Sequence, residues 1–407
     1  MNITEDFIDE RFKAYILETF CANREGILTS DVDTIASLQL ANHKFSSLKG
    51  IEHFVSLKEL NCSYNTLTEL DISKNINLER LNCAGNKLIQ LNLHCNPLLI
   101  ELNCNKNEIH ALDLTGNVKL ETLDCGFNRI RNLDVSHNTK LSKLDCYWNI
   151  LSELHVDQNT SLHELNCGYN SLFELNIGQN TQLTHLDCGN NYLISLNLTG
   201  CSNLVEIRCN HNHLTHLDVT GIPALQSLRC FNNHITDLDL SHNAHLEELY
   251  CSENKILKLD TVHNPKLERL NCSNNLITQP DHTVGGIGTF SYDTSLTCYT
   301  ATLSYQGIEL PVQASISTEA DMERLSPIIK HAWKHFGELR DKALDLIAQL
   351  HPDEDVNELV LSGLEFEKDS TFRLGYDAGD TPAGQLCIYV SFNENLDINN
   401  DLVYETY

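Results

Sequence analysis

From Leu57 onward the apolar positions of the chain recur with a period of 21 residues and no slip. Cysteines stand at 62, 83, 104, 125, 146, 167, 188, 209, 230, 251 and 272, and three residues after each comes an asparagine, from Asn65 to Asn275. Every unit opens on leucine, as at Leu57, Leu78 and Leu267, and the consensus is L-x-x-L-x-C-x-x-N-x-[LI]-x-x-L-x-[LIV]-x-x-N. Self-similarity at a fixed period of this length means a solenoid. One unit buries too few side chains to offset the entropy of ordering it, so stability comes from stacking and the ends need caps. The cysteine position points into a narrow slot between coils, where a thiol serves as a small hydrophobe. The asparagine is placed to bond backbone groups where the chain leaves the strand.

This pattern resembles the leucine-rich repeat superfamily, and within it the bacterial 21-residue class, in which the second half of a unit (Leu67 to Asn75) echoes the first (Leu57 to Asn65). The resemblance covers about residues 35–281. It implies an α/β-type solenoid, an arc whose parallel sheet lines a concave face, and a protein partner rather than catalysis. Eleven thiols in a line do not converge on one point as metal ligands must, and disulfides between neighbours would distort the ladder. Reduced, structural cysteines are therefore expected, with no cofactor and no metal.

Residues 35–56 read as one degenerate unit before the eleven regular ones, with Leu38, Leu40, Phe45, Leu48 and Ile51 at near-repeat spacing. Upstream, Phe7, Phe12, Tyr15, Ile16 and Phe20 predict a helical amino-terminal cap over residues 1–34. The run Cys21 to Val32 matches an EF-hand loop at Asn23, Glu25 and Gly26, but Cys21 and Val32 occupy the first and twelfth positions, where the strongest calcium ligands belong. The loop is expected to be a retained turn without the ion. At the other end Pro280 replaces a leucine of the pattern, and Gly285-Gly286-Ile287-Gly288 falls in a linker assigned to residues 282–288.

The repeat stops there, and residues 289–407 predict a C-terminal α+β domain. Strands are expected at Phe290–Tyr292, Cys298–Tyr305, Ile308–Ser317, Leu359–Phe366, Thr371–Tyr376, Gln385–Phe392 and Asp397–Tyr404. Between the third and fourth runs one main helix starts near Glu319, with Pro327 offsetting its first turn. The order of elements and the strand Ile388-Tyr-Val-Ser-Phe392 with its acidic turn are similar to a family of small bacterial domains found near toxin–immunity loci. Gly384-Gln385 stands where that family has Gly-His.

Charge sharpens this picture. The chain carries 56 acidic and 28 basic residues, and residues 288–407 alone hold 21 acidic against 7 basic. Such a surface repels phosphate backbones and anionic lipid, so nucleic acid and membrane are disfavoured and a basic protein partner is favoured. No apolar run is long enough to span a bilayer. The first twelve residues carry Glu5, Asp6, Asp9 and Glu10 where a secretory signal needs a basic and then an apolar run. A cytoplasmic location is expected, with delivery into a host without a cleavable signal as the alternative.

Motif by motif, no nucleophile elbow, Walker loop, zincin motif or close cysteine pair is found. His331 and His335 lie four apart on the predicted helix, and His211, His213 and His216 share one repeat, but neither set is accompanied by the carboxylates or the common face of a metal site. Asp353-Glu-Asp355 reads as a solvated loop. The concave strand says more. Its third, fifth, seventh and eighth positions are expected to be exposed, and the fifth runs Asn103, Asp124, Asp145, Asn166, Asp187, Arg208, Arg229, Tyr250 along the arc. Phe127, Tyr147, Trp148 and Tyr169, from three consecutive units, should cluster beside Asp124 and Asp145. Aromatics beside charges are the composition of interface hot spots. The expected partner-binding residues are thus Asp124, Phe127, Asp145, Tyr147, Trp148, Tyr169, Asp187, Arg208, Arg229, Phe231 and Tyr250. The expected function is recognition of a protein through the concave face, in its sharpest form as an immunity or antitoxin-like inhibitor of a basic toxin. The alternatives are an effector acting on host proteins and an enzyme within the C-terminal domain.

Overall fold

In a computed structural model of the chain the 21-residue units from Leu57 to Lys266 each close into one coil, because their leucine and cysteine columns turn to the inside. The structure describes residues 1–22, 24–277, 281–293, 296–352, 355–381 and 384–406. It comprises two compact units, Met1–Leu270 and Asn271–Tyr407.

Twelve three-residue strands, from β1 (Ser37–Gln39) to β12 (Arg269–Asn271), form one parallel sheet in sequential order. Each strand occupies the third to fifth positions of its unit and, except for β12, buries the middle residue, as in Glu164–Asn166 around Leu165. The cysteine that follows is buried in all eleven units. Burial pushes the Cys62 and Cys230 thiols up to about 12, so neutral, unreactive thiols fill the slot. The asparagine three residues on ties two coils together. Nδ2 of Asn149 donates to the carbonyls of Cys125 and Cys146, both at 3.1 Å, while its Oδ1 accepts from the Ile130 amide at 2.9 Å. A second asparagine closes the other half of the coil: Nδ2 of Asn159 donates to the Val135 and Asn138 carbonyls at 3.0 and 2.9 Å. In most coils two amides thus satisfy backbone groups that the short strands leave over, while Cys201 and Ile222 take the second asparagine's place in two of them.

The amino-terminal cap holds α1 (Glu10–Phe20) and the short α2 (Thr29–Val32). Phe12 and Ile16 of α1 are buried, with Phe12 packed on Phe7 and Phe45 at ring distances of 5.4 Å. Asp9 caps the helix, accepting from the Arg11 and Phe12 amides at 2.9 and 3.0 Å, and its second oxygen takes the amide and hydroxyl of Ser46. In the EF-hand-like loop the guanidinium of Arg24 lies 2.5 Å from Asp31, whose other oxygen accepts from the Leu28 amide at 2.8 Å. A protein cation therefore sits on the loop's carboxylate. Asn23 lies outside the described residues, as do Pro280, Asp353 and Glu354.

In the C-terminal unit eight strands form a mixed sheet in sequential order: β13 (His282–Val284), β14 (Gly288–Asp293), β15 (Cys298–Tyr305), β16 (Ile308–Ala314), β17 (Val360–Phe366), β18 (Phe372–Thr381), β19 (Gly384–Phe392) and β20 (Ile398–Thr406). All neighbours are antiparallel except β16 and β17, which are parallel because α3 (Glu319–Lys334) and α4 (Phe336–Leu350) form the crossover between them. Met322, Ile329, Phe336, Leu339 and Ile347 of the helices share one core with Phe290, Tyr299, Val312, Phe372 and Phe392 of the sheet.

Two details differ from the sequence reading. The run assigned to a linker holds β13, with Gly285-Gly286 in the hairpin turn that pairs His282 with Phe290. The single main helix is two helices. Pro327 is accommodated inside α3, and the break comes at His335 instead. Among the described residues no helix is long and apolar enough to cross a membrane.

Candidate partner-binding site

The register of the sheet assembles the site. Asp124 lies opposite Asp145, Asp145 opposite Asn166, Asn166 opposite Asp187, and the row continues through Arg208 and Arg229 to Tyr250. Parallel strands about 4.8 Å apart thus set these side chains in one line along the concave face. Each carboxylate folds back on its own strand end: Asp124, Asp145 and Asp187 accept from the amides of Gly126, Tyr147 and Gly189 at 3.2, 3.0 and 3.0 Å. The remaining oxygens of Asp124 and Asp145 take side-chain amides, Asn105 at 2.7 Å and Asn166 at 3.0 Å. Burial raises all three carboxyls above their ordinary range, and for Asp145 the neighbouring Asp124 adds to this. The nearest lysine, Lys143, is bound to Glu164 at 2.5 Å.

The seventh position, expected to be exposed, is buried or half-buried. Ser63, Ala84, Gly126, Gly168 and Gly189 occupy it in five units, and Tyr147 is half-buried there. The reason is geometric. A Cβ built on Gly168 would lie 3.0 Å from Asp187 Oδ1 and 3.3 Å from the Tyr147 ring, so a larger residue would crowd the carboxylate row. Glycines on either side leave room for one tyrosine.

At the eighth position the backbone is left-handed in every unit, with φ of 51°, 54° and 52° at Phe127, Trp148 and Tyr169. Glycine or asparagine fits this conformation with less strain, and the chain has them at Gly85, Asn190, Asn232 and Asn274. Three aromatic residues in succession carry the strain instead. With equal backbone geometry on adjacent coils their rings stack: Trp148 lies 5.7 Å from Phe127 and 4.8 Å from Tyr169, each at 15°. Tyr147 contacts Phe127, Trp148 and Tyr169 at 5.3, 6.2 and 5.1 Å.

Nine of the eleven expected residues line a single depression of about 470 Å³, floored in part by Gly126, Asn105 and Asn166. The other two stand beside it. Trp148, half-exposed, completes the stack, and Tyr250 carries the Arg229 guanidinium 5.1 Å above its ring. At this basic end Arg208 bonds Glu206 at 2.6 Å, and Arg229 lies 3.5 Å from Glu248. Phe231 meets the edge of His211 at 5.1 Å.

The sequence reading missed a second apolar feature beside the stack. Ile150, Phe173, Tyr192 and Ile194, at the tenth and twelfth positions, are exposed, Phe173 by 62% and Ile194 by 66%. Phe173 stacks on Tyr192 at 5.4 Å, and the row continues to His213 and His234. Reading the tenth and twelfth columns of the repeat as the fifth was read would have found it. A larger groove of about 1010 Å³ lies over the second halves of the first units, around Asp71, Asn92, His94 and Asp113, but it contains no phenylalanine, tyrosine or tryptophan.

The candidate chemical groups stay apart. His331 and His335 meet edge to face at 5.2 Å, with His335 3.4 Å from Glu338. His282 Nε2 approaches Ser326 Oγ at 2.8 Å, but that hydroxyl donates to the Met322 carbonyl within its own helix and so is not poised as a nucleophile. Among the described residues no three metal-ligating side chains converge.

Comparison with known proteins agrees with this architecture. A family model for leucine rich repeats (two copies) matches residues 223–262. The functional domain of InlJ from Listeria monocytogenes, which includes a cysteine ladder, is 33% identical with a TM-score of 0.56, over 69% of this chain and 72% of that one. A leucine-rich repeat protein of Leptospira interrogans is 28% identical with a TM-score of 0.57, over 61% and 69%. The internalin InlF of Listeria monocytogenes shares the fold at 21% identity and a TM-score of 0.64, over 67% and 84%. No curated protein sequence matches the chain.

Proposed function

The chain belongs to the leucine-rich repeat proteins, whose arcs bind other proteins, and from that premise we propose that it holds its partner in the concave depression between Asp124 and Phe231. The observation that carries this reading is the stack of Phe127, Trp148 and Tyr169. Three bulky residues are kept in a left-handed backbone and left 40–50% exposed, directly beside half-buried carboxylates. Strain and exposed aromatic surface are both unfavourable in the free protein, and a bound partner recovers the cost.

The partner we propose is basic. The chain's net charge of −28 draws such a protein in, and Asp124, Asp145 and Asp187 give it a local target. The C-terminal α+β domain, with its excess of acidic residues, adds a second contact in this reading. The resemblance read from its sequence to immunity-associated bacterial domains supports, as the proposed biological role, a resident inhibitor of a toxin-like protein.

Affinity capture from lysate of the producing organism tests the proposal, using the wild-type chain beside Trp148→Ala. The expected result is a basic protein held by the wild type and lost by the variant, with the variant's circular dichroism unchanged. A prey that binds Trp148→Ala equally well would sink the concave-face reading.

A further inference from the structure

The depression carries its charge in two separated halves. At one end Asp124 and Asp145 stand on adjacent strands, receive only amide donors, and have no ion-pair partner among the described residues. At the other end Arg208 and Arg229 stand on adjacent strands, and Nε of Arg229 is buried without a hydrogen-bond partner. Asp187 lies between, 3.9 Å from Arg208, so it balances the arginine end more than it extends the acidic one. The stacked rings border the acidic end alone.

Two buried like charges on neighbouring strands disfavour one another, and a cation placed between them relieves both. Lys143 attracts both carboxylates without forming an ion pair with either, since its ammonium is engaged by Glu164, and Lys106 lies over the outer ring of Phe127 at 5.7 Å. At the far end the exposed part of the Arg229 guanidinium has only Glu248, at 3.5 Å, as an ion-pair partner and can take a further acceptor. The midpoints of the two charge pairs are four strands apart, roughly 19 Å at about 4.8 Å per strand. An extended peptide covers that distance in about six residues at roughly 3.3 Å each.

Resting on the concave-face reading above, we propose that the depression binds one extended or loop segment of its protein partner lengthwise. An arginine or lysine of that segment inserts between Asp124 and Asp145 against the Tyr147 ring, and an acidic residue about six positions away meets Arg229. The site thus reads the separation of opposite charges, not simply net positive charge. It also fixes the direction in which the segment lies along the arc. An all-basic segment gains at the acidic end alone and forfeits the contact with Arg229, which gives specificity beyond bulk attraction to an acidic protein. The aromatic stack covers the acidic end from water, where exclusion of solvent strengthens the ion pairs most.

The probe is a phage-displayed library of random peptides of about 12 residues, long enough to cross all six strands, panned on the full-length chain. The expected consensus has a basic and an acidic residue four to eight positions apart, on the order of the six derived above. Synthetic copies should weaken about tenfold or more with Asp145→Asn, and likewise when the peptide's basic residue becomes alanine, without a further loss when both changes are combined. Arg229→Gln should show the same coupling to the peptide's acidic residue. Asp145→Asn keeps side-chain volume and Arg229→Gln keeps a polar amide, and an unchanged thermal midpoint separates lost recognition from lost folding. Peptides that are released by Trp148→Ala yet indifferent to Asp145→Asn and Arg229→Gln would overturn the charge-separation rule and leave the concave site standing. Peptides indifferent to Trp148→Ala as well would count against the concave site itself. Enrichment of no peptide, or binding of neutral oligosaccharides in its place, would also overturn the inference.

Discussion

An aspartate at the fifth position of a repeat can give up solvent on joining the sheet and gain amide donors but no ion pair in return. Asp145 is such a residue: burial, then its neighbour Asp124, raise its carboxyl against the pull of the Tyr147 amide and Asn166. A raised native value means that the group favours the folded state fully below its unfolded value, about 3.9, and that this contribution is lost as pH rises through the native value. Ionised Asp145 therefore opposes folding at neutral pH. Asp145→Asn is expected to leave the thermal midpoint at pH 7 unchanged or higher and to flatten its pH dependence above about pH 4, as unfolding scans would show. Asp9 has the opposite sign. Burial works against its charge, but the hydroxyl and amide of Ser46 and the amides of Phe12 and Arg11 hold the carboxyl below the usual range. Its contribution is present above the unfolded value and lost as pH falls through the native one. Asp9→Ala should cost about 1–2 kcal/mol at pH 7 in urea unfolding, and the difference from wild type should vanish in strong acid. The fifth column was legible in the sequence because a fixed period puts equivalent residues side by side. That its carboxylates are half-buried was not, because the cover comes from ring and glycine placement at the seventh and eighth positions.

At the scale of elements, the helix break shows what periodicity cannot register. Ile329, Ala332, Phe336, Leu339 and Ala343 continue one apolar face across His335, so the pattern reads as a single helix. The break preserves the phase of that face and leaves no trace in the spacing. Just past the break the chain packs tightly on another element: a Cβ at Gly337 would come within 2.8 Å of the Tyr305 hydroxyl on β15. In an open helix, glycine to alanine is worth roughly 0.5–1 kcal/mol of stabilisation. Here Gly337→Ala is expected to lower the thermal midpoint, and Gly337→Ala combined with Tyr305→Phe, which removes the contacted oxygen, should recover part of the loss. Scanning calorimetry on the three chains would decide. Pro327 is the converse case, a breaker in sequence terms that α3 absorbs while Ser326 bonds back to the Met322 carbonyl at 2.7 Å. The β13–β14 hairpin escaped notice for a related reason: a three-residue strand beside a glycine pair is too short to show alternation.

For the solenoid as a whole, the coil is the unit of construction and its length is the register. Removing residues 78–98 takes out one complete coil and rejoins every column: leucine, cysteine, asparagine and fifth position. The shortened chain is expected to keep the shape of its circular dichroism spectrum and its concave binding, with a lower urea midpoint because one set of nearest-neighbour contacts is gone. Removing residues 78–97 shifts every later column by one and turns buried positions outward along the strand. That chain should lose cooperative unfolding. If the two deletions behaved alike, the ladder would not be the source of cooperativity.

The sequence by itself determined the coil, the inward cysteine column, the paired asparagine ladder and the order of charges and rings along the concave face. It could do so because contacts in a solenoid fall between residues 21 positions apart, so proximity in space is written as a period. Tertiary structure alone decided which of those positions meet in one depression, how deeply the carboxylates sit, and where the C-terminal helix breaks. Each of these depends on the volume and polarity of side chains that no period links, such as Tyr305 beside Gly337 or Gly168 beside Asp187 and Tyr147.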